Sequence, residues 1–341
     1  MKNCILITGA AGFIGFSLAR EILENNKKTH VYGLDNLSEY YDIKLKKSRL
    51  KILKKYPNFF FKNFSICNYK KLYELINICK FNKIIHLAAQ AGVRYSFEDP
   101  NSYLETNIMG TFNILETIKN TKPKHLIFSS TSSTYGLTDK KSSFTELDNS
   151  NFPISLYAST KKSCEVLIHN YSHNFSIPST VLRFFTVYGP WGRPDMALFK
   201  FTSAILNDEP IEVYNSGKLW RDFTFIDDLV KSIIKLSDVD PTDNKKIPKD
   251  SISKNAPYRI VNIGNQRAIN LVKFIKVLEK ITSKKAKCIY APMQKGDVPF
   301  TLANSNLLYQ LTNYKPTTSV EVGIKKFYDW YIDYYIKKKY D

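Results

Sequence analysis

The sequence of 341 residues predicts an α/β fold built on a doubly wound parallel sheet. Two observations lead to this prediction. Short apolar runs alternate along the chain with longer stretches of helical periodicity, which is typical of strands covered by helices on both faces. The first apolar run also ends in a glycine-rich turn that leads directly into a helix, as in a βαβ unit.

The first βαβ unit is predicted from the first 35 residues. A strand at residues 4–8 is followed by a turn at residues 9–15, a helix over residues 16–26 and a second strand over residues 29–35. The alternation then continues, with strands predicted at residues 59–64, 83–87, 125–129 and 179–184 and helices at residues 69–80, 101–121 and 157–176.

The regular alternation loosens after about residue 185. Residues 238–256 are polar and contain two prolines, so they are expected to form an exposed loop. Residues 323–340 carry aromatic side chains at helical spacing, which predicts a helix that packs on the body of the protein.

Composition and charge exclude several classes of function. The net charge is +19, but only eight of the 50 basic residues are arginine and the lysines are scattered, so no nucleic-acid partner is predicted. The five cysteines are isolated in sequence, and His169 and His173 lack a carboxylate partner, so no metal is expected. No apolar run is long enough to span a membrane and no signal peptide is evident, so we expect no membrane association and a cytoplasmic protein.

The turn after the first strand has the pattern GxxGxxG, with glycines at Gly9, Gly12 and Gly15. These glycines allow a tight turn, close approach of the backbone to a pyrophosphate, and close packing of helix on strand. Asp35 ends the second strand twenty residues after Gly15, where a carboxylate accepts hydrogen bonds from ribose hydroxyls and repels a 2′-phosphate. The sequence therefore predicts a Rossmann-type site for NAD rather than NADP.

A candidate catalytic pair lies on one predicted helix, because Tyr157 and Lys161 are four residues apart. The charge of Lys161 is expected to lower the pKa of the Tyr157 phenol, so that Tyr157 acts as a base near neutral pH. Residues 129–133 are all serine or threonine and end a buried strand, at the edge where doubly wound sheets bind ligands. A hydroxyl from this segment is expected to share a proton with Tyr157.

Taken together, these motifs resemble the extended short-chain dehydrogenase/reductase superfamily over nearly the whole chain. The resemblance is carried by GxxGxxG, Leu-Ala-Ala-Gln at residues 87–90, Asn107, the hydroxyl-rich strand end with Tyr135-Gly136, and YxxxK. Four segments further resemble the UDP-glucuronate 4-epimerases, at residues 35–42, 90–96, 183–197 and 221–224.

By this resemblance the chain is expected to be an isomerase of nucleotide-sugar metabolism and polysaccharide biosynthesis. It would interconvert UDP-glucuronate and UDP-galacturonate through a transient 4-keto sugar, with tightly bound NAD regenerated in each cycle. Thr131, Tyr157 and Lys161 are the implied catalytic residues. The implied NAD contacts are Gly9, Gly12, Phe13, Ile14, Gly15, Asp35, Asn36, Ser65, Ile66, Leu87, Ala88, Ala89, Gln90, Asn107, Ser129, Tyr157 and Lys161. The implied UDP-sugar contacts are Arg94, Ser132, Ser133, Thr186, Val187, Arg193, Val213, Tyr214, Arg221 and Asp297.

The residues after Thr131 bear on the choice between related reactions. By resemblance, dehydratases carry an acidic pair there, and uronate decarboxylases usually carry Glu where Ser133 stands. A 4-keto uronate is a β-keto acid, so an epimerase must hold its carboxylate, and we expect Ser132, Ser133, Thr186 and Arg193 to do so. A 4-epimerase of neutral UDP-hexoses or UDP-N-acetylhexosamines and a non-catalytic dinucleotide sensor remain as alternatives.

The resemblance also implies an organisation and one departure. An NAD-binding domain is expected over residues 1–180, joined by residues 221–237 and 258–264, with a mixed α/β substrate-binding portion over residues 181–341. A homodimer is expected through the helices at residues 101–121 and 157–176. Relatives carry an Asp that binds the adenine amine where this chain has Ser65, so weaker retention of NAD is expected.

Overall fold

The computed structural model describes residues 3–139, 142–242 and 247–338. The strands are β1 (Cys4–Thr8), β2 (His30–Asp35), β3 (Phe59–Asn63), β4 (Lys83–His86), β5 (His125–Thr131), β6 (Ser179–Phe184), β7 (Thr186–Tyr188), β8 (Pro210–Tyr214), β9 (Trp220–Phe225), β10 (Tyr258–Ile263), β11 (Ala268–Asn270) and β12 (Lys287–Ala291). The helices are α1 (Phe13–Asn25), α2 (Ile43–Leu53), α3 (Tyr69–Cys79), α4 (Pro100–Tyr103), α5 (Gly110–Thr121), α6 (Leu156–Phe175), α7 (Ala197–Leu206), α8 (Ile226–Ser237), α9 (Leu271–Thr282), α10 (Asn306–Thr312) and α11 (Val320–Tyr331).

Seven parallel strands form the central sheet, in the order β10-β6-β5-β4-β1-β2-β3. Every residue of β5 and β6 is buried, because helices cover both faces of the sheet. The chain runs from β1 outward to β3 and then crosses back, so that β4 pairs with the other side of β1. This reversal creates the crevice at the carboxyl ends of the strands in which doubly wound sheets bind ligands. The predicted α/β fold is confirmed.

The predicted strands are all present, with ends shifted by at most two residues, but two predictions about helices were wrong and one helix was missed. The first helix begins at Phe13 rather than at residue 16, because the helix starts inside the glycine turn. The helix α2 was not predicted at all. The helix expected over residues 101–121 is divided into α4, a π-helical turn at Leu104–Met109, and α5.

The C-terminal part adds β10 to the central sheet and forms two small sheets, with the orders β11-β9-β7 and β12-β8. Trp191 joins the two parts, since its ring lies 5.3 Å from that of Phe16 in α1 and 5.4 Å from that of Trp330 in α11. The predicted aromatic helix therefore packs on the body of the protein, although Tyr340 lies outside the described residues.

The segment predicted as an exposed loop at residues 238–256 forms neither a helix nor a strand where it is described, and residues 243–246 lie outside the described residues. The prediction that this segment is exposed was wrong for Asp250. Asp250 accepts hydrogen bonds from Arg259 at 3.0 and 3.1 Å, and both side chains are buried. Burial of this pair ties the loop to β10.

Within the described ranges, no helix combines the length and apolarity needed to cross a membrane. In the same residues, no cluster of three or more His, Cys, Asp or Glu side chains is placed to hold a metal ion. His169 and His173 instead contact the segment before β10: the ring of His169 lies 2.9 Å from the Ser253 hydroxyl and that of His173 lies 2.5 Å from the Asn255 carbonyl oxygen.

Candidate active site

A cavity of about 430 Å³ lies at the carboxyl ends of the central strands. It extends from the glycine turn after β1 to the strand end of β5, and then to the segments after β6 and β12. Among the predicted site residues, its lining includes Gly9, Gly12, Phe13, Ile14, Gly15, Asp35, Asn36, Ser65, Ile66, Leu87, Ala88, Ala89, Gln90, Ser129, Thr131, Ser132, Ser133, Tyr157, Lys161, Thr186, Val187, Arg193, Arg221 and Asp297. Asn107, Arg94, Val213 and Tyr214 are absent from this lining.

The glycine turn has no room for side chains. Gly9 has φ +71°, and a Cβ there would lie 2.9 Å from the backbone nitrogen of Ala88. A Cβ on Gly15 would lie 2.1 Å from the Gly9 carbonyl oxygen, so α1 packs directly on the turn. No side chain caps the N-terminus of α1, which leaves its first amides open toward the cavity for an anionic group.

The carboxylate of Asp35 is fixed at the end of β2. One oxygen accepts from the backbone N–H of Ala11 at 3.0 Å and the other from that of Leu37 at 2.8 Å. Two neutral donors leave further lone pairs of this carboxylate available to ribose hydroxyls. The turn, the uncapped helix and Asp35 therefore fit the pyrophosphate and ribose of a dinucleotide.

Asn107 lies behind the cavity wall and holds it in place. Its side-chain oxygen accepts from the Gln90 N–H at 2.8 Å, and its amide donates to the Gln90 carbonyl at 3.1 Å and to the Thr160 hydroxyl at 3.0 Å. The residue lies within the π-helical turn, which sets it between β4 and α6. Asn107 thus positions the segment that lines the cavity.

The candidate catalytic residues meet at the end of β5. The backbone N–H of Ser133 donates to the Thr131 hydroxyl at 3.2 Å, which in turn donates to the Ser133 hydroxyl at 3.2 Å. Burial raises the pKa of Tyr157, and the Arg193 charge followed by the Thr131 hydrogen bond lowers that pKa in part. The Thr131 hydroxyl therefore connects the phenol of Tyr157 with the serines after β5.

The predicted effect of Lys161 on Tyr157 needs correction. The Lys161 ammonium donates to the Ser129 carbonyl at 2.7 Å and lies 4.7 Å from the centre of the Phe128 ring. Burial lowers the pKa of Lys161 to about 8, and the charge that chiefly offsets the raised pKa of Tyr157 is that of Arg193. Spacing along the helix correctly placed both groups at the cavity but did not show which cation acts on the phenol.

The far end of the cavity carries a cluster of polar and aromatic side chains. Arg94 donates to Asp297 at 3.3 Å, and its guanidinium lies 4.5 Å from the centre of the Tyr214 ring. Arg221 lines the cavity, where burial lowers its pKa. Val213 is fully buried in the core, so its side chain does not reach the cavity.

Several lining residues escaped the sequence analysis, among them Lys46 and Tyr40. Lys46 donates to the Ser38 carbonyl at 2.6 Å and lies in α2, whose lysine-rich sequence gave no signal of a buried face. Ile154 and Ser155, just before α6, and Thr301, after β12, also contribute to the wall. Long-range packing brings these residues to the cavity, so no local sequence pattern predicts that they line it.

Comparison with known proteins agrees with this geometry. The sequence profile of the GDP-mannose 4,6 dehydratase family matches residues 6–327. The chain is 46% identical over 330 residues to a probable UDP-glucuronate 4-epimerase of Rhizobium meliloti (strain 1021), covering 96% of each chain. It is 43% identical over 336 residues to UDP-glucuronate 4-epimerase 1 of Arabidopsis thaliana, covering 97% of this chain and 77% of the relative.

Two solved structures are also similar. UDP-glucuronic acid 4-epimerase from Bacillus cereus, in complex with UDP-glucuronic acid and NAD, superimposes with a TM-score of 0.88 at 34% identity, covering 97% of this chain and 100% of that chain. UDP-glucose 4-epimerase from Thermotoga maritima, with UDP-glucose, has a TM-score of 0.84 at 28% identity, covering 97% and 99% of the two chains. The fold, the cavity and matches over almost the whole length show that the chain belongs to the GDP-mannose 4,6-dehydratase-like family of extended short-chain dehydrogenases/reductases.

Proposed function

We propose that this protein is an NAD-dependent UDP-glucuronate 4-epimerase, an isomerase that interconverts UDP-glucuronate and UDP-galacturonate. The observation that carries the proposal is the convergence of Thr131, Tyr157 and Lys161 in the same cavity as the glycine turn and Arg193. A base, a proton carrier, a dinucleotide cradle and a cation for an acidic sugar then lie together. The similarity to named UDP-glucuronate 4-epimerases supports the choice of substrate.

The residues that would hold NAD are those of the glycine turn, Asp35 and Lys161. When bound, NAD supplies the acceptor and donor of a hydride at carbon 4 of the sugar. The uncapped amides of α1 would bind the pyrophosphate, and Asp35 would accept from the adenosine ribose. Lys161 would donate to the nicotinamide ribose while keeping its bond to the Ser129 carbonyl.

Tyr157 would act as the base in its ionised form, which the Arg193 charge and the Thr131 hydrogen bond favour because both lower its pKa. It would take the proton from the sugar 4-hydroxyl as the 4-keto sugar forms and return it when the hydroxyl forms again. The Thr131 hydroxyl would carry hydrogen bonds to both the phenol and the sugar oxygen, since its hydrogen bond lowers the pKa of Tyr157. Inversion at carbon 4 requires the keto sugar to turn over between the two transfers. The nucleotide must stay bound meanwhile, and Arg221 and Asp297, which line the far end of the cavity, would hold it. Arg94 would support this contact through its hydrogen bond to Asp297.

The carboxylate of the 4-keto uronate has to keep its negative charge, because a free β-keto acid loses carbon dioxide. Ser132, Ser133, Thr186 and Arg193 line the cavity beside Tyr157 and offer hydroxyl and guanidinium donors. Donors that hold the charged carboxylate oppose decarboxylation, which requires that charge to leave.

Residues 1–180, joined by residues 221–237 and 258–264, would bind NAD, and the rest of residues 181–341 would bind the UDP-sugar. A homodimer would form through α5 and α6 and the residues before α5, where Leu104, Met109, Phe112 and Val166 expose apolar side chains. Light scattering on the wild type and Met109→Glu tests this pairing, since the charge should yield monomers. No disulfide joins cysteines within the described residues, which fits the proposed cytoplasmic location.

The proposed function is tested by incubating the purified protein with UDP-glucuronate and added NAD and resolving the products by NMR. UDP-galacturonate without UDP-pentose is the expected result. UDP-pentose would instead identify a decarboxylase and would contradict the role given to the serines after Thr131. No product from UDP-glucuronate, with turnover of a neutral UDP-hexose, would replace the proposed substrate class.

Tyr157→Phe is the matched control, because it removes one hydroxyl from a partly buried ring and little else. It should bind UDP-glucuronate with about the wild-type affinity and produce no UDP-galacturonate. Equal turnover by wild type and Tyr157→Phe would contradict the proposed mechanism.

A further inference from the structure

Arg193 and Asp195 form a two-point ion pair at the cavity. The Arg193 Nε donates to Asp195 Oδ1 at 3.0 Å, and its Nη2 donates to Oδ2. Two parallel hydrogen bonds to one carboxylate fix the plane of a guanidinium, whereas a single hydrogen bond leaves it free to rotate. Arg193 lines the cavity, and within the described ranges no residue accepts a hydrogen bond from its Nη1.

Tyr40, from another segment of the chain, contacts both members of this ion pair. The Tyr40 hydroxyl donates to Asp195 Oδ2 at 3.2 Å, and the Arg193 guanidinium lies 5.8 Å from the centre of the Tyr40 ring. Tyr40 belongs to the segment between β2 and α2, so the contact joins the cofactor half of the cavity to the sugar half. Together, Tyr40, Arg193 and Asp195 form what we term the arginine clamp.

The Tyr40 hydroxyl of the arginine clamp lies where a side chain at position 92 would otherwise be. Gly92 has φ +108°, and a Cβ on it would lie 2.5 Å from the Tyr40 hydroxyl oxygen. The Tyr95 ring, in the same segment as Gly92, packs 4.9 Å from that of Tyr40. Tyr40 is therefore held between the segment after β4 and the segment that carries Asp195.

Building on the proposed function, we propose that Asp195, fixed by Tyr40, is a positioning residue that aims the free edge of Arg193 at the carboxylate of the UDP-uronic acid. The three N–H donors of Arg193 that Asp195 does not use are the ones that would meet the sugar carboxylate. Asp195 uses the opposite edge of the guanidinium, so the two carboxylates do not compete for the same donors.

This arrangement makes a prediction about specificity. A neutral sugar has no carboxylate for the free edge, so aiming Arg193 contributes to binding of UDP-glucuronate and not of UDP-glucose. Damage to the cavity as a whole would weaken both nucleotide sugars alike. Comparing the two ligands therefore separates a positioning role from a general structural role.

The test measures dissociation constants of UDP-glucuronate and UDP-glucose by calorimetry for wild-type protein, Asp195→Asn, Tyr40→Phe and Arg193→Ala, each with NAD. Asp195→Asn should weaken UDP-glucuronate roughly tenfold, as expected for losing an oriented charge-assisted contact, and leave UDP-glucose within about twofold. Tyr40→Phe should shift the same ratio by about threefold, because it removes only the outer hydrogen bond. In turnover, both variants should release more UDP-pentose than wild type.

The double variant Arg193→Ala/Asp195→Asn decides whether Asp195 acts through Arg193. It should bind UDP-glucuronate no more weakly than Arg193→Ala alone, since the residue to be aimed is gone. Additive losses, equal weakening of both sugars, or tighter binding of UDP-glucuronate by Asp195→Asn would each overturn the positioning role. Failure of the proposed function is distinguishable, because wild-type protein would then form no UDP-galacturonate whatever the binding ratios.

Discussion

The Lys161 ammonium donates a hydrogen bond to the backbone carbonyl of Ser129 at 2.7 Å, inside a site where both residues are buried. This bond ties α6 to the end of β5 and thereby sets the position of Tyr157 relative to Thr131. Loss of a proton from this ammonium would replace a charge-assisted hydrogen bond with a weaker neutral one. The protonation state of Lys161 is therefore part of the geometry of the site.

Loss of this proton predicts the alkaline limit of activity. Burial lowers the pKa of Lys161 to about 8, so raising the pH through 8 removes the ammonium. The kcat/KM for UDP-glucuronate at saturating NAD should fall toward tenfold per pH unit above pH 8, because kcat/KM reports the pKa values of the enzyme before the sugar binds. Lys161→Met should be inactive at every pH. A wild-type kcat/KM that shows no fall between pH 8 and pH 10 would exclude this role for the Lys161 proton.

A second prediction concerns the ion pair behind the active-site strand. Arg183 in β6 donates to both carboxylate oxygens of Glu165 in α6, at 2.9 and 2.7 Å, and both side chains are buried. The Ser130 hydroxyl, next to Thr131, donates to the same carboxylate at 2.5 Å. Glu165→Gln should lower the free energy of unfolding by about 3–5 kcal/mol in urea titrations, because it leaves a buried cation without its anion.

The control for this prediction is Lys162→Met, since Lys162 lies 3.4 Å from the same Glu165 carboxylate but is partly exposed. Its loss should cost less than about 1 kcal/mol, as for other exposed pairs. Equal unfolding free energies for Glu165→Gln and Lys162→Met would show that the buried pair is not what stabilises this strand end.

A third prediction follows from Glu146, whose carboxylate accepts from the Asn262 N–H at 2.9 Å. Burial raises the pKa of Glu146 from 4.5 to about 7. The unfolded chain ionises this group first as pH rises, so its contribution to stability is full below pH 4.5 and is lost as pH rises through 7. Glu146→Gln keeps an acceptor for Asn262 without the charge, and should raise the free energy of unfolding by about 2–3 kcal/mol at pH 8.

The gain from Glu146→Gln should shrink toward zero at pH 5, which distinguishes it from a general packing effect. Glu74→Gln, on the exposed face of α3, is the matched control and should show no such dependence. A gain for Glu146→Gln of the same size at pH 5 and pH 8 would contradict the assigned titration.

The positions of the strands and the glycine turn could be predicted from the sequence because each depends on a local pattern. The helix α2 was not, since five of its eleven residues are Lys or Arg and its buried face includes Lys46 and Arg49. The Arg49 guanidinium donates hydrogen bonds to two backbone carbonyl oxygens, that of Ala11 at 2.9 Å and that of Trp191 at 2.5 Å. Because its hydrogen-bond acceptors come from distant segments, a buried cation of this kind does not appear in the apolar periodicity of its own helix.

The candidate site shows the same division. Tyr157 and Lys161 follow from spacing on one helix, whereas the contact of Tyr40 with Asp195 joins residues 155 positions apart. The π-helical turn around Asn107 was equally invisible, because an inserted residue alters the hydrogen bonds of a helix without altering its composition. Local chemistry could be predicted, and the pairing of charges across segments could not.

The last prediction concerns Ser65 in the cofactor half of the cavity. The Ser65 hydroxyl accepts from the Cys67 N–H at 3.1 Å and lines the cavity. In Ser65→Asp, one carboxylate oxygen retains that bond and the other becomes available to the adenine amine. The variant should therefore bind NAD about tenfold more tightly in calorimetric titrations and retain more NAD through purification.

A negative charge placed nearby without this geometry is the proper control, and Asn63→Asp supplies it on the exposed end of β3. It should leave the dissociation constant for NAD unchanged or slightly raised, because its charge repels the pyrophosphate at long range. Ser65→Ala should bind NAD more weakly than wild type, since it lacks any acceptor there. If Ser65→Asp and Asn63→Asp bind NAD equally well, Ser65 does not face the adenine, and the adenosine half of NAD lies elsewhere in the cavity.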